Sequence, residues 1–163
     1  MSVVVSDTSP LHYLILCSFD SVLPRLFERV IIPPTVFAEI QHSNTPALVQ
    51  EWARSLPAWV SVQKPSSLDP SLNVDVGELE AICLAREIHA AAVLIDDRAG
   101  RNAAVQCGVP VIGTLGLLEL AAQRGWINLP QALERLQQTN ARLDPQLVTA
   151  ALERHNARSG PKS

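Results

Sequence analysis

Residues 3–11 read Val3-Val4-Val5-Ser6-Asp7-Thr8-Ser9-Pro10-Leu11, and the fold is decided in this stretch. Three β-branched residues in a row make a short strand buried on both faces, as strands inside a parallel sheet are. The run stops at Ser6-Asp7. Ser9 then offers an N-cap and Pro10 a first helical residue, so a helix follows at once through Leu11, Leu14 and Ile15. The step from strand to helix leaves one carboxylate, Asp7, at the strand's carboxyl end. The same grammar recurs at Val93-Leu94-Ile95-Asp96-Asp97-Arg98, an apolar run that ends abruptly in acids and turns into a helix.

Strand and helix alternate along the rest of the chain. A helix is expected over 19–27, then a buried strand at Val30-Ile31-Ile32, closed by Pro33-Pro34, and a helix over 35–41. A polar turn at 42–45 leads to a helix over 46–54 and a short strand over 60–62. After a loop rich in proline and serine over 64–74, Asp75 starts a helix that reaches about residue 89. A strand over 92–95, a helix over 98–107 closed by Gly108, a strand over 109–112 and a helix over 114–124 stopped by Gly125 complete the alternation. This order predicts an α/β fold, a three-layer α/β/α sandwich around a central parallel sheet. Two extra C-terminal amphipathic helices are expected over 130–139 and 145–158. They share an apolar stripe of Leu129, Leu133, Leu136, Leu143, Leu147 and Ala151 and run into a polar tail. We therefore expect one domain over 1–127 and a helical extension over 128–163 that packs on it. No internal repeat or long linker divides the chain.

Composition agrees. A chain of 163 residues fits a single domain, and 47% hydrophobic with 18% charged residues exclude a disordered one. Three Trp, one Tyr and three Phe leave the core to Val, Leu, Ile and Ala, which suits a sheet covered by helices. Cys17, Cys83 and Cys107 stand far apart in apolar patterns with no C-x-x-C pair, so they read as buried reduced thiols. His12, His42, His89 and His155 show no ligand spacing. The N-terminal residues lack a basic segment, and the apolar run over 14–17 is far too short for a membrane span of about 20 residues. A soluble, cytoplasmic protein without membrane contact is the expectation. Thirteen basic and sixteen acidic side chains give a net charge of −3, which does not attract nucleic acid in bulk. A polynucleotide would have to be held by a local basic patch, by metal ions, or by both.

In a parallel α/β sheet, functional groups collect beyond the carboxyl ends of the strands. Asp7 and the pair Asp96-Asp97 stand there, desolvated on one side, and converging acids of this kind call for cations. Two helical acids extend the set. Glu39 sits beside Val36 and Ile40 at the edge of an apolar face, where it is either functional or a surface glutamate. Glu78 faces Ala81, Ile82 and Ala85, an inward face of small residues. Asp75 and Glu78 also have the spacing of a capping box, a role compatible with metal binding. Glu80 shares a stripe with Glu87 and reads as solvent-facing.

Five segments follow one another in the order found in PIN domains. They are Val5-Ser6-Asp7-Thr8-Ser9-Pro10-Leu11, Pro34-Thr35-Val36-Phe37-Ala38-Glu39-Ile40, Gly77-Glu78-Leu79-Glu80-Ala81-Ile82, Leu94-Ile95-Asp96-Asp97-Arg98, and Gly108-Val109-Pro110-Val111-Ile112-Gly113-Thr114-Leu115-Gly116. The chain resembles that family over about residues 3–127, most closely the subgroup akin to VapC toxins. The resemblance implies a PIN-like nuclease domain in which Asp7, Glu39, Glu78 and Asp97 hold a divalent metal. Many PIN domains carry a hydroxyl residue two places before the fourth acid, where this chain has Ile95. Asp96 is thus a second candidate. Alternation along a strand favours only one of the two, and Asp97 is taken first.

The chemistry follows from such a ligand set. Carboxylates without imidazole suit hard cations, Mg2+ or Mn2+, and disfavour zinc. Such an ion can bind a phosphate oxygen, lower the pKa of a bound water and stabilise the leaving oxygen. The resemblance to PIN domains makes the expected activity a metal-dependent endoribonuclease, a hydrolase directing water at an RNA phosphodiester, with Asp7 as central ligand. Thr8, Ser9 and Thr114 either orient water or ligands or serve as plain cap and turn residues. Arg98 and Arg101 either grip a phosphate or pair with Asp96 or Asp97. The subgroup further implies a toxin–antitoxin role, with a small antitoxin over the active site, and a homodimer. A receiver domain would need an acid pair after the first strand and a lysine near the last, and an Asp-x-Asp phosphatase fails at Ser9. The remaining rival is a catalytically inactive PIN-like module that binds RNA or a protein. The full set of desolvated acids argues against it.

Overall fold

Three consecutive valines and Ser6 form β1 (Val3–Ser6) in the computed structural model, which describes residues 2–159. With apolar side chains on both faces, β1 takes a parallel neighbour on each side. β2 (Arg29–Ile32) sets Val30 beside Val4, and β4 (Ala92–Leu94) sets Val93 beside Val5. These four valines have no exposed surface. β3 (Val60–Val62) and β5 (Val111–Ile112) complete a sheet of order β3-β2-β1-β4-β5 in which every pairing is parallel.

The strand order reverses at β1. Connections run one way through β2 to β3 and the other way from β4 to β5, so right-handed crossovers place helices on both faces. The reversal between β1 and β4 is also where a doubly wound sheet opens a crevice beyond its carboxyl ends. β1 leads directly to Asp7 there, and β4 leads to Asp96 and Asp97.

α1 (Thr8–Leu16), α2 (Val22–Leu26), α3 (Pro34–Ile40) and α4 (Ala47–Arg54) belong to the first half of the chain. α5 (Val76–Glu87) lies against β1 and β4, and α6 (Arg98–Gln106) against β5. Their apolar faces join Val5, Ile31 and Val93 in one core cluster through Ala81, Ile82, Leu84, Ala85, Ala103 and Ala104. Burying each large aliphatic side chain, such as Ile82 or Leu84 at 0% exposure, contributes roughly 1.5–3 kcal/mol.

Several boundaries differ from expectation. α1 begins at Thr8, with Asp7 rather than Ser9 in the N-cap position, because the backbone leaves the strand in extended conformation at Asp7 itself. The helix expected over 19–27 is only Val22–Leu26, since the chain reverses through a left-handed Ser18 after α1. Asp75 does occupy the N-cap of α5 but makes no side-chain capping bond, so the capping box is absent.

The chain forms two compact units, Met1–Thr114 and Leu115–Ser163. The second contains α7 (Thr114–Gln123) beyond its first residue, α8 (Leu129–Gln137) and α9 (Pro145–Ser159). Asn128 caps α8 by accepting from the Gln131 N–H at 3.0 Å, and Leu129, Leu133 and Leu136 are buried as expected. In α9 the apolar stripe runs through Val148 and Ala151, while Leu147 is 54% exposed. Within this unit Glu119 of α7 is buried and accepts two hydrogen bonds from Arg154 of α9, at 2.6 and 2.9 Å. The end of the expected polar tail, 160–163, lies outside the described residues. Among the described residues no helix is long and apolar enough to cross a membrane.

Candidate metal centre

Asp7 is held by its backbone before its side chain does anything. Its N–H donates to the Leu94 carbonyl at 2.9 Å, locking the end of β1 to the end of β4. The side chain is buried, and burial pushes its pKa from 3.8 to about 6. The Thr8 N–H opposes that rise, and the charges of Glu39, Asp96 and Asp75 add to it. Glu39 lies toward the far end of α3 and is exposed. The Thr8 hydroxyl donates to its carboxylate, and the Thr45 hydroxyl donates to its carbonyl at 2.9 Å. A Cβ placed on Gly77 would lie 3.3 Å from both Asp7 Oδ1 and Glu39 Oε1. The bare backbone at the start of α5 therefore fits between these two carboxylates.

Glu78, the next residue, is 4% exposed, and its Oε2 is buried with no hydrogen-bond partner. A Cβ on Gly100 would overlap that carboxylate, so the α6 backbone closes over Glu78 from the other side. Burial is the main reason its pKa rises from 4.5 to about 8, followed by the charge of Asp7, a hydrogen bond with Asp75, and the charge of Asp97. An unpaired buried carboxylate costs several kcal/mol if it stays ionised, so without a cation it keeps its proton.

Beyond β4 the chain has left strand geometry, and strand alternation no longer separates Asp96 from Asp97. Asp96 accepts from the Thr114 N–H and hydroxyl, each at 2.7 Å, and so joins β4 to the start of α7. Burial raises its pKa, against those two bonds and the nearby Arg101 charge. Asp97 is exposed and caps α6, its Oδ2 accepting from the Ala99 and Gly100 N–H groups at 3.1 and 3.4 Å. The charge of Asp96 reaches Asp7, and that of Asp97 reaches Glu78.

Of the other sequence candidates, Thr8 bonds Glu39 and Thr114 bonds Asp96. Arg101 is half-buried; a Cβ on Gly113 would lie 2.6 Å from its Nη1 and 3.0 Å from Asp96 Oδ1, which puts the guanidinium beside that acid without forming an ion pair. Arg98 is exposed, and among the described residues it pairs with neither aspartate and the Ser9 side chain makes no hydrogen bond.

Four further residues matter. Asp75 reaches Asp7 and Glu78, and its position one turn before Glu78 was the available signal. Gly77 and Gly100 supply clearance for the carboxylates, which sequence spacing cannot reveal. Glu80 is a correction: it does not simply face solvent, because its carboxylate accepts from Thr35 N–H and Oγ1 at 3.2 and 2.6 Å.

Among the described residues no three acidic, cysteine or histidine side chains converge into a finished ion cage. The arrangement still fits a hard divalent cation on two counts. Its donors are all carboxylate oxygens, and the orphaned Glu78 Oε2 is a buried ligand atom that the chain itself does not satisfy.

A solved structure, a PilT N-terminus domain protein, SSO1118, from the hyperthermophilic archaeon Sulfolobus solfataricus P2, superposes with a TM-score of 0.51 at 19% identity. The match covers 88% of this chain and 100% of that one, a likeness of fold. No curated protein matches at a significant level. A family model described as a PIN domain (DUF3368) matches residues 3–157, through both units. PIN domains are generally metal-dependent nucleases. With five parallel strands, acids at the β1–β4 crevice and a match over nearly its whole length, the chain belongs to the PIN-domain family.

Proposed function

We propose that this protein is a ribonuclease that hydrolyses RNA phosphodiester bonds with Mg2+ or Mn2+. The observation that carries the reading is Glu78: a buried carboxylate with an unpartnered oxygen, among other acids and with no ion pair to any basic side chain. Asp7 serves as central ligand, with Glu39, Glu78 and Asp97 around it. Asp97 is placed ahead of Asp96 because its Oδ1 is open, whereas both Asp96 oxygens accept from Thr114. A bound ion would act as Lewis acid toward the phosphate and would lower the pKa of an attacking water. The chain's own part is to hold the acids: Thr8 orients Glu39, Thr114 orients Asp96, and Arg101 stands ready to meet a phosphate.

Resemblance to the VapC-like subgroup extends the proposal to a toxin of the cytoplasm, restrained by a small antitoxin and acting as a homodimer, with the nuclease domain over 1–127 and the helical extension over 128–163. The test is cleavage of a panel of tRNAs and structured RNAs with Mg2+ or Mn2+, beside Asp7→Asn. Loss of a central ligand should lower the rate by more than about 100-fold, beyond what residues behind the ligands contribute. Cleavage that persists in Asp7→Asn sinks the assignment, and RNA binding without cleavage in the parent favours the inactive binding module.

A further inference from the structure

We propose that Glu80 is a positioning residue for the metal centre: from α5 it caps α3, and by doing so it holds Glu39 toward Asp7. The inference rests on the metal reading above and adds to it a residue that touches neither ion nor substrate.

α3 is seven residues long, too short to be stable alone, so its placement depends on what grips its ends. Its own N-terminus has little to offer. The N-cap is Pro33, which has no side-chain oxygen, and Pro34 has no N–H. The first helical donor is therefore the Thr35 N–H. Glu80 Oε1 accepts it at 3.2 Å, while Oε2 accepts from Thr35 Oγ1 at 2.6 Å. Both oxygens of one carboxylate thus hold a residue forty-five positions away, with the negative charge at the favourable end of the helix dipole.

The tie sits where it governs the site. Thr35 is one turn before Glu39, and Glu80 is three residues after Gly77, whose backbone fits between Glu39 and Asp7. Fixing Thr35 to Glu80 therefore sets the spacing of α3 and α5 where the acids meet. Glu39 is exposed, so packing does not hold it; the ties of Glu80, Thr45 and Thr8 do. Both Glu80 oxygens accept from Thr35, whereas Glu78 keeps a buried oxygen without a partner, which separates Glu80 from the metal-facing acids.

The test is Mn2+ titration of the full chain by calorimetry, with amide exchange at Thr35, on Glu80→Ala, Glu80→Gln and Asp7→Asn. Glu80→Ala should bind Mn2+ about tenfold or more weakly and lose protection at the Thr35 amide. Glu80→Gln, whose side-chain carbonyl still accepts from Thr35, should bind close to the parent. Asp7→Asn should lose Mn2+ and keep Thr35 protected. Parent-like binding by Glu80→Ala, or a Glu80→Gln as weak as Glu80→Ala, overturns the positioning role while the Asp7→Asn loss leaves the metal reading standing. A parent that binds no Mn2+ overturns the metal reading and the positioning role together. If Glu80→Ala does not fold, Thr35→Ala removes the hydroxyl tie alone: weaker Mn2+ binding supports the proposal, and parent-like binding overturns it.

Discussion

Glu78 in the first unit and Glu119 in the second are buried almost equally, at 4% and 8% exposure, yet their protons behave in opposite ways. Arg154 donates to both oxygens of Glu119 and Arg158 stands 3.6 Å away, and the bond from Arg154 above all holds Glu119 below the usual carboxylate range. Around Glu78 the chain supplies no such partner, and burial with the charges of Asp7, Asp97 and Asp75 lifts it to about 8. A buried carboxylate stays ionised only when hydrogen bonds or a nearby cation offset its loss of hydration. Folding gives Glu119 its cation, whereas Glu78 keeps a buried oxygen without a hydrogen-bond partner.

The largest effect is expected from Glu78→Gln, which should lower RNA cleavage by more than about 100-fold. It should also raise the melting temperature of the metal-free protein above neutral pH, because an amide does not ionise. A destabilised metal-free variant there would mean that the hydrogen bond between Glu78 and Asp75 outweighs the cost of burying the ionised carboxylate.

The pH dependence of stability comes next. Asp7 and Glu78 hold their protons more tightly folded than unfolded, so they favour the fold while protonated. Their contribution to stability in EDTA should be fully present below their unfolded values near 4 and should be lost as pH rises through about 6 and then about 8. The fall should amount to a few kcal/mol in all, roughly 1.4 kcal/mol per pKa unit before the coupling between the two is allowed for. Millimolar Mg2+ should flatten the profile. No fall in stability from about pH 6 to about pH 8 in EDTA, measured by urea melts, would mean that Glu78 does not hold its proton in the fold.

Gly100→Ala acts on Glu78 sterically. The added methyl meets the Glu78 carboxylate and lies 2.9 Å from Ile95 Cγ2. We expect Mn2+ binding weakened about tenfold, although alanine favours a helix by about 1 kcal/mol. Unchanged affinity would show that Glu78 moves aside freely. The smallest effect belongs to Glu119→Gln. Arg154 is 54% exposed, so solvent screens the pair, and the loss should be about 1 kcal/mol of stability with RNA cleavage unaltered. A loss of cleavage there would tie the second unit to the reaction.

Most of the fold was legible because it rests on local rules. Val3 to Val5, Val30 to Ile32 and Ala92 to Leu94 are too apolar and β-branched to be anything but buried strands, and Gly108 and Gly125 end helices in left-handed conformation, as their positions suggested. The strand ends were harder. Ser9-Pro10 looked like the start of α1, but Asp7 already occupies the cap position. Its N–H bonds Leu94, a partner eighty-seven residues on that no local pattern contains.

The acids divide along the same line. Asp7, Asp96 and Asp97 stood out by their position after strands and Glu78 by its inward face. Spacing left Glu39 open, and only the resemblance to PIN domains joined all of them as metal candidates. Their separate duties were not readable. Asp96 bonding Thr114, Asp97 capping α6, Asp75 turning to Glu78 rather than capping α5, and Glu80 reaching Thr35 all depend on which segments meet. By itself the sequence determined a parallel α/β domain with carboxylates at its strand ends, since hydrophobic period and turn chemistry act within a few residues of one another. Only the tertiary structure decided which carboxylate the chain satisfies and which keeps a buried oxygen without a partner, because desolvation and charge act through space.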